Sequence, residues 1–399
     1  MLANVYREYK INIILLSNLG LWPYQSKFVR DLLVVFWLLI HLSYVSFEIR
    51  TLIYESDNDQ ILFECLYEFI ISMAFLTKLL NQVVFRNKFQ HLYKTIENHW
   101  NVFSSDTEVR VLKHYSALGK QFTIYYTIVV YSMMTLFVTI PSLGPILFDV
   151  IMPLNESRKR NIAVYVYYGK NQYKYFWPIF FYSSFMVVVG VSIMIAVDTL
   201  HIMCYFACKI SQKSYYSKQV ENIVSIVRAN KTSKNRDYKL YGEGIIYQKY
   251  IQCLKKHQLA VEFVNMLDDA HKVVGFSFTI IIGGCFSILG IRIVYVLDQV
   301  QELIRYLFII VGAMLQLLIL CYSGQKLMDE SQNIFHRAYA AEWYKFSPRL
   351  KSLLIITLYR SIIPCRLTAG NIFPLSMTVF AAVVRGGMSY FMAFSSMQE

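Results

Sequence analysis

Asp198 and His201 stand three residues apart inside an apolar run, so a helix places both on one face. An acid and an imidazole at that spacing suit acid–base or metal chemistry. They suit equally a structural use, in which Asp198 near a helix end holds a hydrogen bond or ion pair within a bundle. The rest of the chain favours the structural use. It has no HExxH, no phosphate loop, no GxSxG and no Cys/His cluster at metal spacing. We therefore assign no catalytic residue, no metal ligand and no cofactor. The 7 cysteines offer no extracellular pair, because Cys65 alone lies near the predicted outer face.

Other charges also sit inside apolar runs: Glu64, Glu68, Arg292 and Arg385. An unpaired charge at the bilayer centre costs several kcal/mol, so each should face protein or water. Glu64 and Glu68 are one helical turn apart and either line a polar vestibule or snorkel to the interface. Arg385 is read as a helix–helix contact, since a cation in a conduction path opposes cation flow. It belongs to the terminal apolar run 375–394, about 20 residues, long enough for a hydrocarbon core of about 30 Å. In and just beyond that run Ala382, Gly386, Ser389, Ala393 and Ser396 recur at helical spacing as one stripe of small side chains. The stripe either admits a close helix or leaves room for water.

These residues need elements to position them. The 399-residue chain is 56% hydrophobic and 16% charged, too apolar for an ordinary soluble domain. The expected class is all-α: one polytopic membrane unit over residues 1–399 with seven transmembrane helices. Expected spans are 32–52, 61–85, 122–140, 177–210, 273–297, 303–321 and 375–394, with Pro141, Gly144 and Pro145 ending the third. A short interfacial helix is expected within 1–30. A basic, partly helical segment follows the fourth span, and a polar helix is expected over 338–360, followed by the breakers Pro364, Gly370 and Pro374. No internal repeat and no separate soluble domain stands out. The net charge of +13 resides between apolar runs, which argues for cytoplasmic loops rather than a nucleic-acid partner. Lys and Arg concentrate in the amino-terminal segment and in 86–121, 209–272 and 325–366. The opposite connections hold only the group Arg158, Lys159, Arg160, Lys170 and Lys174. The amino terminus is accordingly expected to be cytoplasmic and the carboxyl terminus extracellular. The sequon at Asn155 then falls outside, as glycosylation requires. An inside amino terminus disfavours a G-protein-coupled receptor, and missing inverted repeats disfavour a small-solute transporter.

Expected outer helix halves are rich in aromatic and flexible side chains: Tyr67, Ile70, Tyr131, Thr135, Leu136, Phe181, Tyr182, Phe185, Met186, Phe286 and Leu289. A cavity among such residues suits a small volatile or lipid-like ligand. For each residue, ordinary core or lipid-facing packing is the competing use.

The carboxyl-terminal sixty residues carry a resemblance. Ala338, Tyr339, Glu342, Trp343 and Tyr344 form one element. Arg360, Pro364, Leu367, Thr368, Ala369 and Gly370 form a second, and Ser389 to Met392 a third. In this order and register the chain resembles the insect odorant receptor family, as a ligand-tuning subunit. The resemblance implies a plasma-membrane, odorant-gated, nonselective cation channel that works as a heterotetramer with the odorant co-receptor, in a sensory dendrite. It implies a ligand-binding bundle over about 30–210 and 273–320, an intracellular anchor over about 209–272 and 325–366, and a pore helix over about 374–397. Matching positions are Ala393, Ser396 and Met397 for the pore, and the resemblance places subunit contacts in the anchor, where Trp343, Tyr344 and Leu354 are candidates. Ala393 and Ser396 are smaller than the aliphatics expected at a seal, which suggests an auxiliary subunit beside co-receptor copies. A gustatory-type homomeric channel is the related alternative.

Overall fold

The computed structural model describes residues 2–54, 59–103, 106–152, 162–164, 175–232, 236–296, 299–340 and 343–398. Nearly all of these are helical, in eleven α-helices: α1 Ala3–Glu8, α2 Lys10–Asn18, α3 Lys27–Tyr54, α4 Asp59–Val84, α5 Arg86–Val102, α6 Asp106–Ile151, α7 Phe176–Thr232, α8 Arg236–Tyr295, α9 Val300–Ala340, α10 Pro348–Ser361 and α11 Met377–Gln398. Among the described residues α3, α6, α7, α8 and α9 are long and apolar enough to cross a membrane, and α11 adds the apolar stretch Met377–Ala393. α4 is of similar length but carries Glu64, Glu68 and Lys78, all buried. Together these seven make the polytopic bundle.

The termini lie at opposite ends of it. α1 and α2 pack beside α5, α6 and α7, whereas Phe391 near the end of α11 joins Tyr67, Leu289 and Tyr306 at the other end. The amino-terminal segment is drawn into the protein rather than resting on an interface. Val5 and Leu16 are fully buried, the main-chain amide of Val5 donates to Glu97 at 3.0 Å, and the Trp22 indole donates to Tyr6 at 3.1 Å. α5 is amphipathic: Phe89, Leu92, Tyr93 and Ile96 recur at helical spacing and are buried, whereas Asn87, Lys88, His91 and Lys94 are exposed.

α7 is the central helix, buried almost all round from Ile193 to Cys208. Both α7 and α8 run unbroken through the boundaries expected between bundle and anchor.

Three expectations are corrected. Pro141 and Pro145 do not end the third span; α6 continues through both to Ile151. Each proline deprives the carbonyl four residues earlier of its donor. In an apolar medium no water competes for the remaining backbone groups, so the helix is kept. Second, the helix expected over 338–360 is split. α9 ends at Ala340, Trp343–Lys345 form one 3-10 turn, and α10 starts at Pro348. Proline favours an extended residue before it, and Ser347 is extended (φ −68, ψ 157) with Pro348 in the first turn. Third, the breakers Gly370 and Pro374 do more than end a helix. Thr368–Ala369 and Phe373–Pro374 pair as a two-stranded antiparallel hairpin. Gly370 and Asn371 take φ of 62 and 59 to turn it.

The hairpin ties three helices together. The Thr368 hydroxyl and amide donate to Asp268 of α8, and the Gly370 amide donates to the Lys272 carbonyl at 2.9 Å. Cys365 donates to Ser331 of α9 at 2.9 Å. A Cβ on Gly324 of α9 would collide with the Leu375 backbone, so glycine there lets α9 meet the segment entering α11. This gives the Leu367–Gly370 element a physical role. Asn155 lies outside the described residues.

Candidate ligand cavity and terminal helix

A cavity of about 210 Å³ lies among α3, α4, α6, α7, α8 and α9. Its walls are mainly apolar and flexible: Phe75, Met133, Phe137, Met186, Ile282 and Phe308. Gly190 of α7 shapes one wall. A Cβ there would enter the Phe75 ring, so glycine lets that ring lie flat against the helix. A few polar side chains interrupt the walls: His41, Glu48, Glu68, Ser72 and Gln316.

Two buried polar nodes flank it. At the first, Lys78 Nζ donates to Asp198 at 2.6 Å and to Gln316 at 3.3 Å. Tyr126 and Gln316 donate to the second Asp198 oxygen at 2.7 and 3.1 Å. The ammonium also lies 4.2 Å from the centre of the Phe278 ring. Tyr126, Phe278 and Gln316 line the cavity as well, so the node and the cavity share side chains. Asp198 thus serves an ion pair. His201 diverges from it: its Nε2 bonds Ser323 at 2.6 Å and its ring stands 5.2 Å from that of His271. Among the described residues no group of three potential metal ligands exists.

At the second node Glu64 pairs with Arg305, and Arg292 lies 3.5 Å away. Both arginines donate to the Tyr306 hydroxyl at 2.9 Å, Arg305 also pairs with Glu302 at 2.7 Å, and the Tyr67 hydroxyl donates to Glu68 at 3.1 Å. Glu64 is therefore buried in a salt-bridge network instead of snorkelling. Sequence reasoning missed Lys78 and Arg305. Both lie near the ends of apolar runs, and the signal was an intramembrane acid without an assigned cation.

Of the residues named for ligand contact, Tyr67 and Met186 line the cavity. Ile70 is packed beside Tyr67 and Tyr306, adjoining Ile71, which does line it. Tyr131 bonds Ser192 at 2.9 Å. Thr135, Leu136, Phe181 and Phe185 are exposed on the bundle surface, where lipid would cover them. Tyr182 bonds Ser43 at 3.1 Å and packs near Tyr44. Phe286 turns to α11, and Leu289 is fully buried in the second node's cluster.

α11 has two faces. Val379, Phe380 and Val383 pack against α8 and α9, and Gly387 sits where a Cβ would approach Phe286 to 3.0 Å. The opposite face carries the small stripe. Ala382, Ser389, Ala393 and Ser396 are exposed, and nothing lies within 4 Å of a Cβ built on Gly386. Ser389 and Ser396 hydroxyls turn back to the Arg385 and Ala393 carbonyls at 2.9 Å. Arg385 is exposed in the single chain. The side chain of Met397 lies outside the described residues.

In the region expected to be the anchor, Leu354 is buried with Tyr250, Cys253 and Phe346, whereas Trp343 and Tyr344 are exposed. Ile355, Ile356 and Tyr359 add an uncovered apolar face on α10. On α5, burial lowers the His99 imidazole to about 4.

A family model described as 7tm odorant receptor matches residues 60–388. Among curated relatives, odorant receptor 10 of Aedes albopictus is 22% identical over 145 residues, 35% of this chain and 37% of that protein. Odorant receptor 9a of Drosophila melanogaster is 28% identical over 149 residues, 37% of each chain. These alignments span little more than a third of the relatives' own length. A solved insect olfactory receptor, OR5 from Machilis hrabei in complex with eugenol, superposes with a TM-score of 0.74 at 12% identity over 99% of both chains.

Proposed function

We propose, since the chain belongs to the 7tm odorant receptor family, that it is the odorant-binding subunit of a ligand-gated nonselective cation channel. It is a multi-pass membrane receptor rather than an enzyme. The chain works in a heteromer with the odorant co-receptor in the plasma membrane of a sensory dendrite, as a single unit. Its amino terminus is cytoplasmic, its carboxyl terminus extracellular and Asn155 glycosylated. A small volatile ligand enters the cavity, where Tyr67, Met186 and their neighbours contact it.

The observation that carries this reading is the division of α11. One face is seated on α8 and α9, and the small-residue face is left uncovered. In a tetramer that face, with Ala393, Ser396 and Met397 toward its end, would border a shared water-filled path. The uncovered Trp343, Tyr344 and α10 apolar face would meet neighbouring subunits. Leu354 would support them from beneath, as part of the chain's own core. Coupling needs only that ligand bind the open arrangement better than the closed one. Phe278, shared by the cavity wall and the cluster that receives α11, supplies a contact route.

The test is whole-cell recording of this chain with and without the co-receptor against a broad odorant panel. Fast odorant-evoked cation current with both chains supports the reading. Current from this chain alone overturns the co-receptor requirement, and second-messenger signalling or ligand uptake without current overturns the pore assignment.

A further inference from the structure

The cavity holds one acid that its own walls leave unserved. Glu48 of α3 is 2% exposed and lines the cavity. Neither of its carboxyl oxygens has a hydrogen-bond partner among the described residues, although the Ser72 hydroxyl lies nearby. The neighbouring polar groups are engaged elsewhere: His41 Nε2 with the Ser72 carbonyl at 3.0 Å and the Ser72 hydroxyl at 3.4 Å, and Glu68 with the Tyr67 hydroxyl. Buried polar groups are nearly always satisfied, and one that is not calls for a missing partner.

Deepening the reading of this cavity as the odorant site, and resting on it, we propose that Glu48 is the polar anchor for the ligand. The ligand class is a small, mostly apolar molecule with a single O–H or N–H donor, an alcohol or an amine. A carboxyl group offers at least one acceptor oxygen whether or not it carries a proton. A donor on the ligand therefore satisfies Glu48 in either state. A hydrocarbon of equal size offers Glu48 nothing in either state, whereas an ether or ester gives an ionised carboxylate nothing to accept and can itself accept only from the protonated acid. The remaining walls, Phe75, Met133, Phe137 and Ile282, hold the apolar body by contact alone. A dry cavity of about 150 Å³ admits benzene, so this one suits bodies of roughly eight to ten non-hydrogen atoms.

The experiment is co-expression with the co-receptor and current recording on matched sets. Each set holds an alcohol, the corresponding primary amine, the O-methyl ether and the hydrocarbon isostere, on linear, branched and aromatic bodies. The expected result is that donor-bearing members are more potent than their hydrocarbon isosteres by on the order of tenfold, with the ethers falling at or between the two. Glu48→Met should collapse that ratio to about one, and the surviving hydrocarbon response marks a folded channel. Glu48→Gln keeps an acceptor oxygen but no charge. It should keep an alcohol preference, and it should lose an amine preference that rests on an ion pair, which separates the two donor sources. Odorant-gated current with no donor preference, or a preference unchanged in Glu48→Met, overturns the assignment of Glu48 and leaves the channel reading standing. Silence to every set, with both chains at the cell surface, overturns the channel reading itself.

Discussion

One end of the bundle is filled and the other is hollow. Where α2, α4, α5, α7 and α8 meet, Leu16, Leu79, Leu92, Leu200, Phe263 and Leu267 are all within 1% of complete burial and share one cluster. Toward the opposite end the same long helices α7 and α8 help to line about 210 Å³ of space, edged by Met133, Met186 and Phe308. The filled end is also stitched by main-chain amides, as where the hairpin's Thr368 and Gly370 N–H groups donate to Asp268 and to the Lys272 carbonyl. The hollow end relies on buried ion pairs. Continuous helices thus carry both a rigid base and an adaptable chamber, and the Lys78–Asp198 pair sits at the frontier between them.

Breaking that frontier should produce the largest effect. Lys78→Met leaves Asp198 without its cation, with Tyr126 and Gln316 as its remaining donors among the described residues. Removing one partner of a buried pair costs about 3–5 kcal/mol. The variant should lose detergent-solubilised thermal stability sharply, and Lys78→Met with Asp198→Leu should recover much of it. A single variant as stable as the wild type would mean that the pair is not structural. Next in size is the filled end itself. Leu267→Ala opens a hole in a region with no slack, and its expected cost is about 2–5 kcal/mol in the same melt.

A smaller prediction concerns pH. Burial holds His99, at the filled end, down to about 4, against about 6.5 in an unfolded chain. Between those values the unfolded state binds the proton first, so stability falls as pH drops from about 6.5 toward 4. Between pH 7 and pH 5 the loss should be about 2 kcal/mol. His99→Gln should flatten this part of the pH–stability profile, and an unchanged slope in that variant would assign the titration elsewhere.

How legible these regions were from sequence differs in a physical way. The seven spans and the aromatic character of the chamber follow from apolar runs, because desolvation dominates and is local in sequence. The chamber's lining did not follow. Thr135, Leu136, Phe181 and Phe185 have the same composition as Met133, Phe137 and Met186, and which helix face turns inward depends on partners distant in sequence. Ion pairs were half legible: Asp198 and Glu64 announced a need, but Lys78 and Arg305 are 120 and 241 positions away from them. The hairpin at Thr368–Pro374 read only as a helix breaker, since its bonds go to α8 and α9.

The smallest expected effect sharpens the contrast most directly. Met133 borders the empty volume and is half-buried, so its side chain has contacts on one side and space on the other. Truncation costs the transfer and contact energy of the atoms removed plus a term for new cavity. Contacts are already missing on the side that faces the space, so Met133→Ala should cost about 1 kcal/mol or less, well under Leu267→Ala, in the same melt. Function should respond where stability does not. A larger chamber gives small odorants less wall to touch, so potency should move toward bulkier bodies. If Met133→Ala instead destabilised as much as Leu267→Ala, with no change in odorant size preference, the chamber would be ordinary core and the division between filled and hollow ends would fall.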